Sequence, residues 1–185
     1  MVLRSLQNTH AALEKDVFGE LCSAQSKSTS PAMSNKIFIV HGHDQELKND
    51  AERFVHSVGL VPIVLHRQVD SGNTIIEKFE KHSDVGYAII LLTPDEIAYS
   101  NEQHILEDNK RSKEWRARPY VIFEFGYFAA KLGRRRVCCL HKGEVVIPSD
   151  LQGLVYKKIV NSVDEQAMPI IRELMAAGYK ITLSQ

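Results

Sequence analysis

Residues 36–44 read KIFIVHGHD, and this stretch decides the fold. Lys36 to Val40 is a short apolar run rich in β-branched residues, the composition of a strand covered on both faces of a parallel sheet. His41-Gly42-His43 then interrupts the run with a polar turn, and Asp44 stands where a helix N-cap belongs. Leu47, Ala51, Phe54, Val55 and Val58 follow at helical spacing, and Gly59 ends them. A buried strand that turns into an amphipathic helix is the first half of a β-α-β unit.

The same alternation continues downstream. Val61 to Leu65 is a second strand. Thr74 to Glu77 (TIIE) has the spacing of a capping box, with Ile75, Ile76 and Phe79 as the buried stripe behind it. Gly86 to Leu92 is a third strand, wholly apolar and so expected at the centre of the sheet. After Arg118 the segment PYVIFEFGYFAAKLG reads as a helix, with Pro119 suited to its first position and Gly133 to its end. Val137 to Leu140 is a fourth strand and Val155 to Val160 a short, polar fifth. A second capping box at Ser162 (SVDE) opens the last helix, whose Ile170, Ile171, Leu174 and Met175 are expected to face inward before Gly178. The segments are too closely spaced for an antiparallel sandwich. They predict an α/β fold, a doubly wound five-stranded parallel sheet with helices on both faces and the flavodoxin-like strand order 2-1-3-4-5. Thr93 to Ala117 fits none of these elements; loops of about 25 residues inside a domain are usually functional or mobile.

The chain has 185 residues, one domain with some length to spare. Residues 1–32 are expected to lie outside that domain, which spans 33–185. Leu6, Leu13, Val17 and Leu21 could share one helical face, and SAQSKSTSPA (23–32) has the composition of a linker. This segment reads as an interaction helix, a remnant of a larger chain, or an upstream start choice before Met33. Lys and Arg (23) balance Asp and Glu (23), so no global field draws the chain to nucleic acid or to a membrane surface. The longest apolar stretch near the middle, Tyr87 to Leu92, is far short of a bilayer span. With no export signal in the sequence, the three cysteines read as reduced thiols of a cytoplasmic protein.

In open α/β sheets ligands bind beyond the carboxyl ends of the strands, where the winding direction reverses, here between strands 1 and 3. Strand 1 runs into His41-Gly42-His43-Asp44 and strand 3 into Thr93-Pro94-Asp95-Glu96. Strand 2 runs into His66 to Thr74, where Gly72 gives the backbone freedom just before a helix N-terminus suited to phosphate. The spacing matches neither GxGxxG nor GxxxxGK[ST], which argues against a standard dinucleotide fold or a P-loop.

Glu124 stands out within VIFEFGYF (121–128), one carboxylate among apolar, aromatic and glycine neighbours. Burying it costs free energy unless it is paired or used. On a helix it shares a face with Tyr120, Tyr127, Phe128 and Lys131. One reading pairs it with Lys131 or Arg118. The other keeps it as an unpaired carboxylate in an aromatic pocket, where the exclusion of water strengthens any charge interaction. His41 and His43 admit a metal only weakly, since no third ligand has supporting spacing. Arg134-Arg135-Arg136 reads as a solvated turn rather than a phosphate site, and Cys138 and Cys139 as packing residues of a strand. Trp115 could stack on a base or anchor the long segment.

Together KIFIVHGHD, LLTPDE and RARPYVIFEFGYFAAKLGRRRV resemble, in order, the signature segments of the bacterial TIR-like domains described as predicted nucleotide-binding proteins. The resemblance covers about Lys36 to Val160. The family typically has Asn where this chain has Tyr120 and Gly where it has Ala130. It implies a TIR fold that binds NAD and, in active members, cleaves it to nicotinamide and ADP-ribose or a cyclic isomer, in antiphage or self-killing systems switched on by assembly. NAD is then the substrate, and no cofactor is required. The catalytic glutamate of the family maps onto Glu124. His41, Gly42, His43 and Asp44 would line the ribose and nicotinamide end. Arg67 with Asp70, Ser71, Gly72 and Thr74 would receive the pyrophosphate, Thr93, Pro94 and Asp95 would form the opposite wall, and Arg118 and Tyr120 complete the set.

The resemblance also implies a homo-oligomer or filament on activation and a possible upstream sensor, with neither nucleic acid nor membrane as partner. Two other classes compete. Many TIR domains are non-catalytic assembly modules, although an embedded Glu124 weighs against that. A nucleoside deoxyribosyltransferase-like enzyme uses a related sheet and a glutamate nucleophile.

Overall fold

Strand β1 (Lys36–Val40) lies inside the sheet, between β2 (Val61–Ile63) and β3 (Tyr87–Leu92), in a computed structural model that describes residues 34–68, 74–147 and 156–182. Two short strands, β4 (Glu96–Ala98) and β5 (Glu114–Arg116), form a separate antiparallel ribbon. Strands β6 (Val137–Lys142) and β7 (Tyr156–Ile159) complete the main sheet, whose order is β2-β1-β3-β6-β7 with every pairing parallel. This is the expected flavodoxin-like order, with β6 and β7 as its fourth and fifth strands. The expected helix and linker in residues 1–32 lie outside the described residues, as do Asp70, Ser71, Gly72 and Val155.

Among the described residues three helices connect strands and a fourth follows β7. Helix α1 (Gln45–Ser57) is capped by Asp44, whose Oδ1 accepts the Leu47 N–H at 2.8 Å. Helix α2 (Ile75–His82) starts at a complete capping box in which the Thr74 N–H donates to Glu77 Oε2 and the Glu77 N–H to Thr74 Oγ1. Helix α3 (Pro119–Leu132) has its proline at the first position and ends at Gly133, whose φ of 79° only glycine adopts readily. Helix α4 is Ala167–Ala176.

Alternation along the strands sorts the core into two layers. Ile37, Ile39, Ile89, Leu91, Cys138 and Leu140 pack with the buried faces of α1 and α4, including Leu47, Phe54, Ile170 and Leu174. Phe38, Val40, Ala88, Ile90, Leu92 and Cys139 pack with Phe79 of α2 and with Val121, Phe125 and Phe128 of α3. All six residues of β3 are buried, as a central parallel strand requires. Both cysteines are packed as small hydrophobes, and burial pushes the Cys138 thiol up to about 12 and that of Cys139 upward as well.

Several expectations need correction. Strand β2 stops at Ile63 instead of Leu65, because the chain folds into a 3-10 turn at Leu65–Arg67 closed by the Arg67 N–H on the Val64 carbonyl. β6 runs two residues past Leu140, since His141 and Lys142 still pair with Lys158 and Ile159. The Ser162 box caps a 3-10 turn (Val163–Gln166) and not α4 directly, and Asp50 Oδ2 holds that turn by accepting from Ser162 Oγ and the Val163 N–H. Ile76 is 60% exposed and Met175 59%, because Phe79 on α2 and Ile170 with Leu174 on α4 already make the sheet contact. The segment 93–117 is also ordered in a way the sequence did not suggest: β4 and β5 bring Ile97 opposite Trp115, and Asn101–Ile105 and Asp108–Lys110 form 3-10 turns between them. Trp115 anchors this ribbon through its backbone, its carbonyl accepting the Val146 N–H at 2.8 Å.

Candidate functional site

The order reverses at β1 and β3, so their carboxyl-end loops lie side by side. Asp95 joins them. Its Oδ1 accepts from the His43 N–H at 3.2 Å and from the Thr93 hydroxyl at 2.9 Å, while Oδ2 is buried against Gly42 with no hydrogen-bond partner among the described residues. Any side chain at position 42 would overlap that carboxylate. The glycine is therefore required by close approach.

Helix α3 enters from the ribbon at this same edge. The Tyr120 hydroxyl donates to the His41 carbonyl at 3.2 Å, and Arg118 Nη1 lies 2.6 Å from His43 Nε2. A guanidinium can only donate, so His43 Nε2 is the acceptor and the ring proton sits on Nδ1. Arg118 also lies over the Tyr120 ring, 4.8 Å from its centroid, with its Nε 3.7 Å from Glu96. The His41 Nδ1–H donates to the Gly42 carbonyl at 2.8 Å. His41, Gly42, His43, Thr93, Asp95, Arg118 and Tyr120 are thereby brought into one cluster.

Glu124 sits one helical turn beyond Tyr120, half-buried. Both expected ion-pair partners are engaged elsewhere, Arg118 with His43 and Lys131 with Ser83 Oγ (2.7 Å) and the Tyr127 hydroxyl (3.4 Å). Among the described residues no hydrogen bond or salt bridge reaches the Glu124 carboxylate, and burial pushes its pKa up to about 7. An unpaired carboxylate whose charge is opposed by burial can supply negative charge to a reacting centre at little reorganisation cost.

Other expected site residues are occupied by the fold. Asp44 caps α1 and pairs with Lys142 at 2.8 Å. Burial works against the Asp44 charge, but the Leu47 N–H and the Lys142 ammonium outweigh it and hold the carboxyl below its usual value. Arg67 is paired with Glu52 of α1 at 2.8 Å and bonded to Asn49. Thr74 is bound into its capping box, and Pro94 packs near Gly143. Sequence reasoning missed Lys142. A lysine at the end of a strand carries no signal that it will meet the cap of another helix. Among the described residues, no cluster of three or more His, Cys, Asp or Glu is placed to hold a metal.

An all-parallel sheet in the order β2-β1-β3-β6-β7, flanked by helices, is the sheet of a TIR-type domain. The sequence model of the family described as CAP12/Pycsar effector protein, TIR domain, matches residues 36–161, and the chain belongs to that family. The uncharacterized protein YuaY of Escherichia coli K12 is 45% identical over 128 residues, covering 69% of this chain and 40% of that protein. Protein tirC of Dictyostelium discoideum is 36% identical over 129 residues, covering 65% of this chain and 62% of its own length. The chain thus spans less than two thirds of either relative. The solved structure of E. coli constitutive lysine decarboxylase aligns with 77% of this chain and 17% of that one, at a TM-score of 0.40 and 12% identity, a likeness too weak to carry an argument. No helix among the described residues is long and apolar enough to cross a membrane.

Proposed function

We propose that this TIR domain is an NAD glycohydrolase that cleaves the nicotinamide–ribose bond, with Glu124 as the catalytic carboxylate, and that it acts in defence when an upstream sensor drives copies of it to assemble. The observation that carries the reading is the unpaired state of Glu124. A half-buried carboxylate whose candidate cations are both bound elsewhere has no stabilising partner among the described residues, which suits a group that meets its partner in a substrate.

The chemistry needs one such group. Nicotinamide is bound to ribose through a cationic pyridinium nitrogen; heterolysis of the C1′–N bond gives both electrons to that nitrogen and releases a neutral amine. No general acid is required, unlike the leaving group of an ordinary glycoside. Positive charge moves onto C1′ and its ring oxygen, and Glu124 stabilises that oxocarbenium-like centre while accepting hydrogen bonds from the ribose hydroxyls. Water then adds to C1′ and loses a proton, giving ADP-ribose; capture by a nucleophile of the same molecule would give a cyclic isomer. The bound pyridinium charge favours the ionised form of Glu124. In this reading the His41–His43 loop faces the ribose, the Tyr120 ring and the Thr93–Asp95 loop wall the cleft, and Arg67 with residues 70–74 addresses the pyrophosphate.

The test incubates the protein with NAD across a wide concentration range and measures free nicotinamide. Release is expected, with specific activity rising as copies associate. Absence of nicotinamide from assembled protein overturns the catalytic reading, and constant specific activity with no oligomer on sizing overturns the requirement for assembly.

A further inference from the structure

The opposite, amino-terminal edge of the sheet carries a feature that the cleft at Glu124 does not use. There Gly133 ends α3, and the chain turns through Arg134–Arg136 into β6. A cavity of about 470 Å³ opens at this turn, walled by the three arginines, by Glu173 and by Ala176 and Ala177 at the end of α4. We propose that this cavity is a second ligand site, which binds a small phosphate-bearing anion.

The positive charge is concentrated by the fold. Arg136 is fixed in place by donating to the Gly86 carbonyl at 3.1 Å. Arg134 and Arg135 are exposed at the cavity, and Arg135 makes no hydrogen bond or ion pair among the described residues. Lys36 begins the strand beside Gly86, since Ile37 pairs with Tyr87.

Two features oppose an anion, and neither prevails. Glu173 is already neutralised, its Oε1 receiving Lys157 Nζ at 2.6 Å and its Oε2 the Tyr87 hydroxyl at 3.0 Å. The carboxyl end of α4 contributes about half a negative charge, against three guanidinium groups that are always ionised. Guanidinium forks match the oxygens of phosphate and carboxylate alike in pairs, so it is the gathering of three cations at one turn that favours the more highly charged phosphate over a simple carboxylate. The volume falls in the range of small-molecule sites, roughly 300–1,000 Å³, and this favours a compact ligand over a polynucleotide. Glu124 and Arg134 are ten residues apart on one helix and its end, about 15 Å along the axis, so the two sites cannot share one small ligand.

The probe is inorganic pyrophosphate, titrated calorimetrically into the full chain at low salt. The expected result is saturable binding that is weakened at least tenfold in Arg134→Ala/Arg135→Ala and unchanged both in Arg67→Ala, which removes the cleft's own pyrophosphate contact, and in Glu124→Gln. Both arginines are exposed, so the double variant should fold; its melting temperature checks this, and Arg135→Lys should restore part of the affinity because charge without the fork is retained. Absence of binding, or equal affinity in the double variant, overturns the proposal. A parallel titration with a single-stranded oligonucleotide tests the ligand class: tighter binding through the same arginines would overturn the small-ligand assignment. Because Glu124→Gln is expected to bind pyrophosphate normally, failure of the NAD reading leaves this result distinguishable.

Discussion

Asp95 lies so close to Gly42 that its Oδ2 occupies the space where any other residue would carry a Cβ. The contact fixes the β1 loop against the β3 loop, and the bond from the His43 N–H to Oδ1 completes the clasp. Gly42→Ala is expected to destabilise the domain by about 1–3 kcal/mol, the usual cost of overpacking. Asp95→Ala removes the obstruction, so the double variant should be less destabilised than the sum of the single ones. Equilibrium denaturation of all four proteins measures the coupling; strict additivity would show that the two residues do not clasp.

Glu124→Gln separates a catalytic carboxylate from a structural one. Loss of about 4 kcal/mol of transition-state stabilisation lowers turnover roughly a thousandfold. Stability should move the other way. The folded carboxyl titrates near 7 and the unfolded one near 4.5, so the folded state binds the extra proton between those values and wild-type stability falls as pH rises through that window. The Gln variant should therefore melt higher than wild type at pH 8 and equally at pH 4. A variant that is fully active, or that melts lower at pH 8, would refute the assignment.

The same titration should appear in the kinetics. The wild-type kcat/KM for NAD is expected to rise with pH through an inflection near 7, the value in the free enzyme. A flat profile from pH 5.5 to 8.5 would mean that the ionisation of Glu124 does not control the reaction.

Asp44 is bound so fully by the fold that its role should prove structural. Asp44→Ala removes a helix cap and strands Lys142, at a cost of about 1–2 kcal/mol. Asp44→Asn keeps the cap and loses only the ion pair, so it should cost less. A depressed folded pKa contributes stability above the unfolded value of 3.8 that is lost as pH falls through the folded one, so the gap between wild type and Asn should close in acid. Chemical denaturation at pH 7 and pH 3 checks both points. A rise in KM for NAD in Asp44→Asn at unchanged stability would instead return Asp44 to the substrate.

The central strands were legible because burial on both faces leaves no polar residue to confuse the reading, as in Tyr87–Leu92. Caps at Asp44 and Thr74 were legible for a similar reason: a short polar side chain before an apolar stripe has one local use. Boundaries set by distant partners were not. Val64 and Leu65 look like a continuing strand, yet β2 is an edge strand and leaves β1 after Ile63. In 93–117 the pairing of Ile97 with Trp115 is hidden by the polar residues between them. At the site, Glu124 announced itself by being charged among aromatics. The pairing of His43 with Arg118 left no trace, because 75 residues separate them and only the closed sheet brings them together.

Cys138 and Cys139 are neighbours along the chain, yet each belongs to a different hydrophobic layer. Their thiols are buried and protonated, so neither reacts with an alkylating reagent until its own layer opens. A single dipeptide thus carries two reporters of local unfolding, one for the α1–α4 side and one for the α2–α3 side that holds Glu124. With each cysteine retained in turn, alkylation rates under native conditions give two opening free energies. The difference between them tells whether the half of the domain that bears the carboxylate breathes independently of the half that supports it.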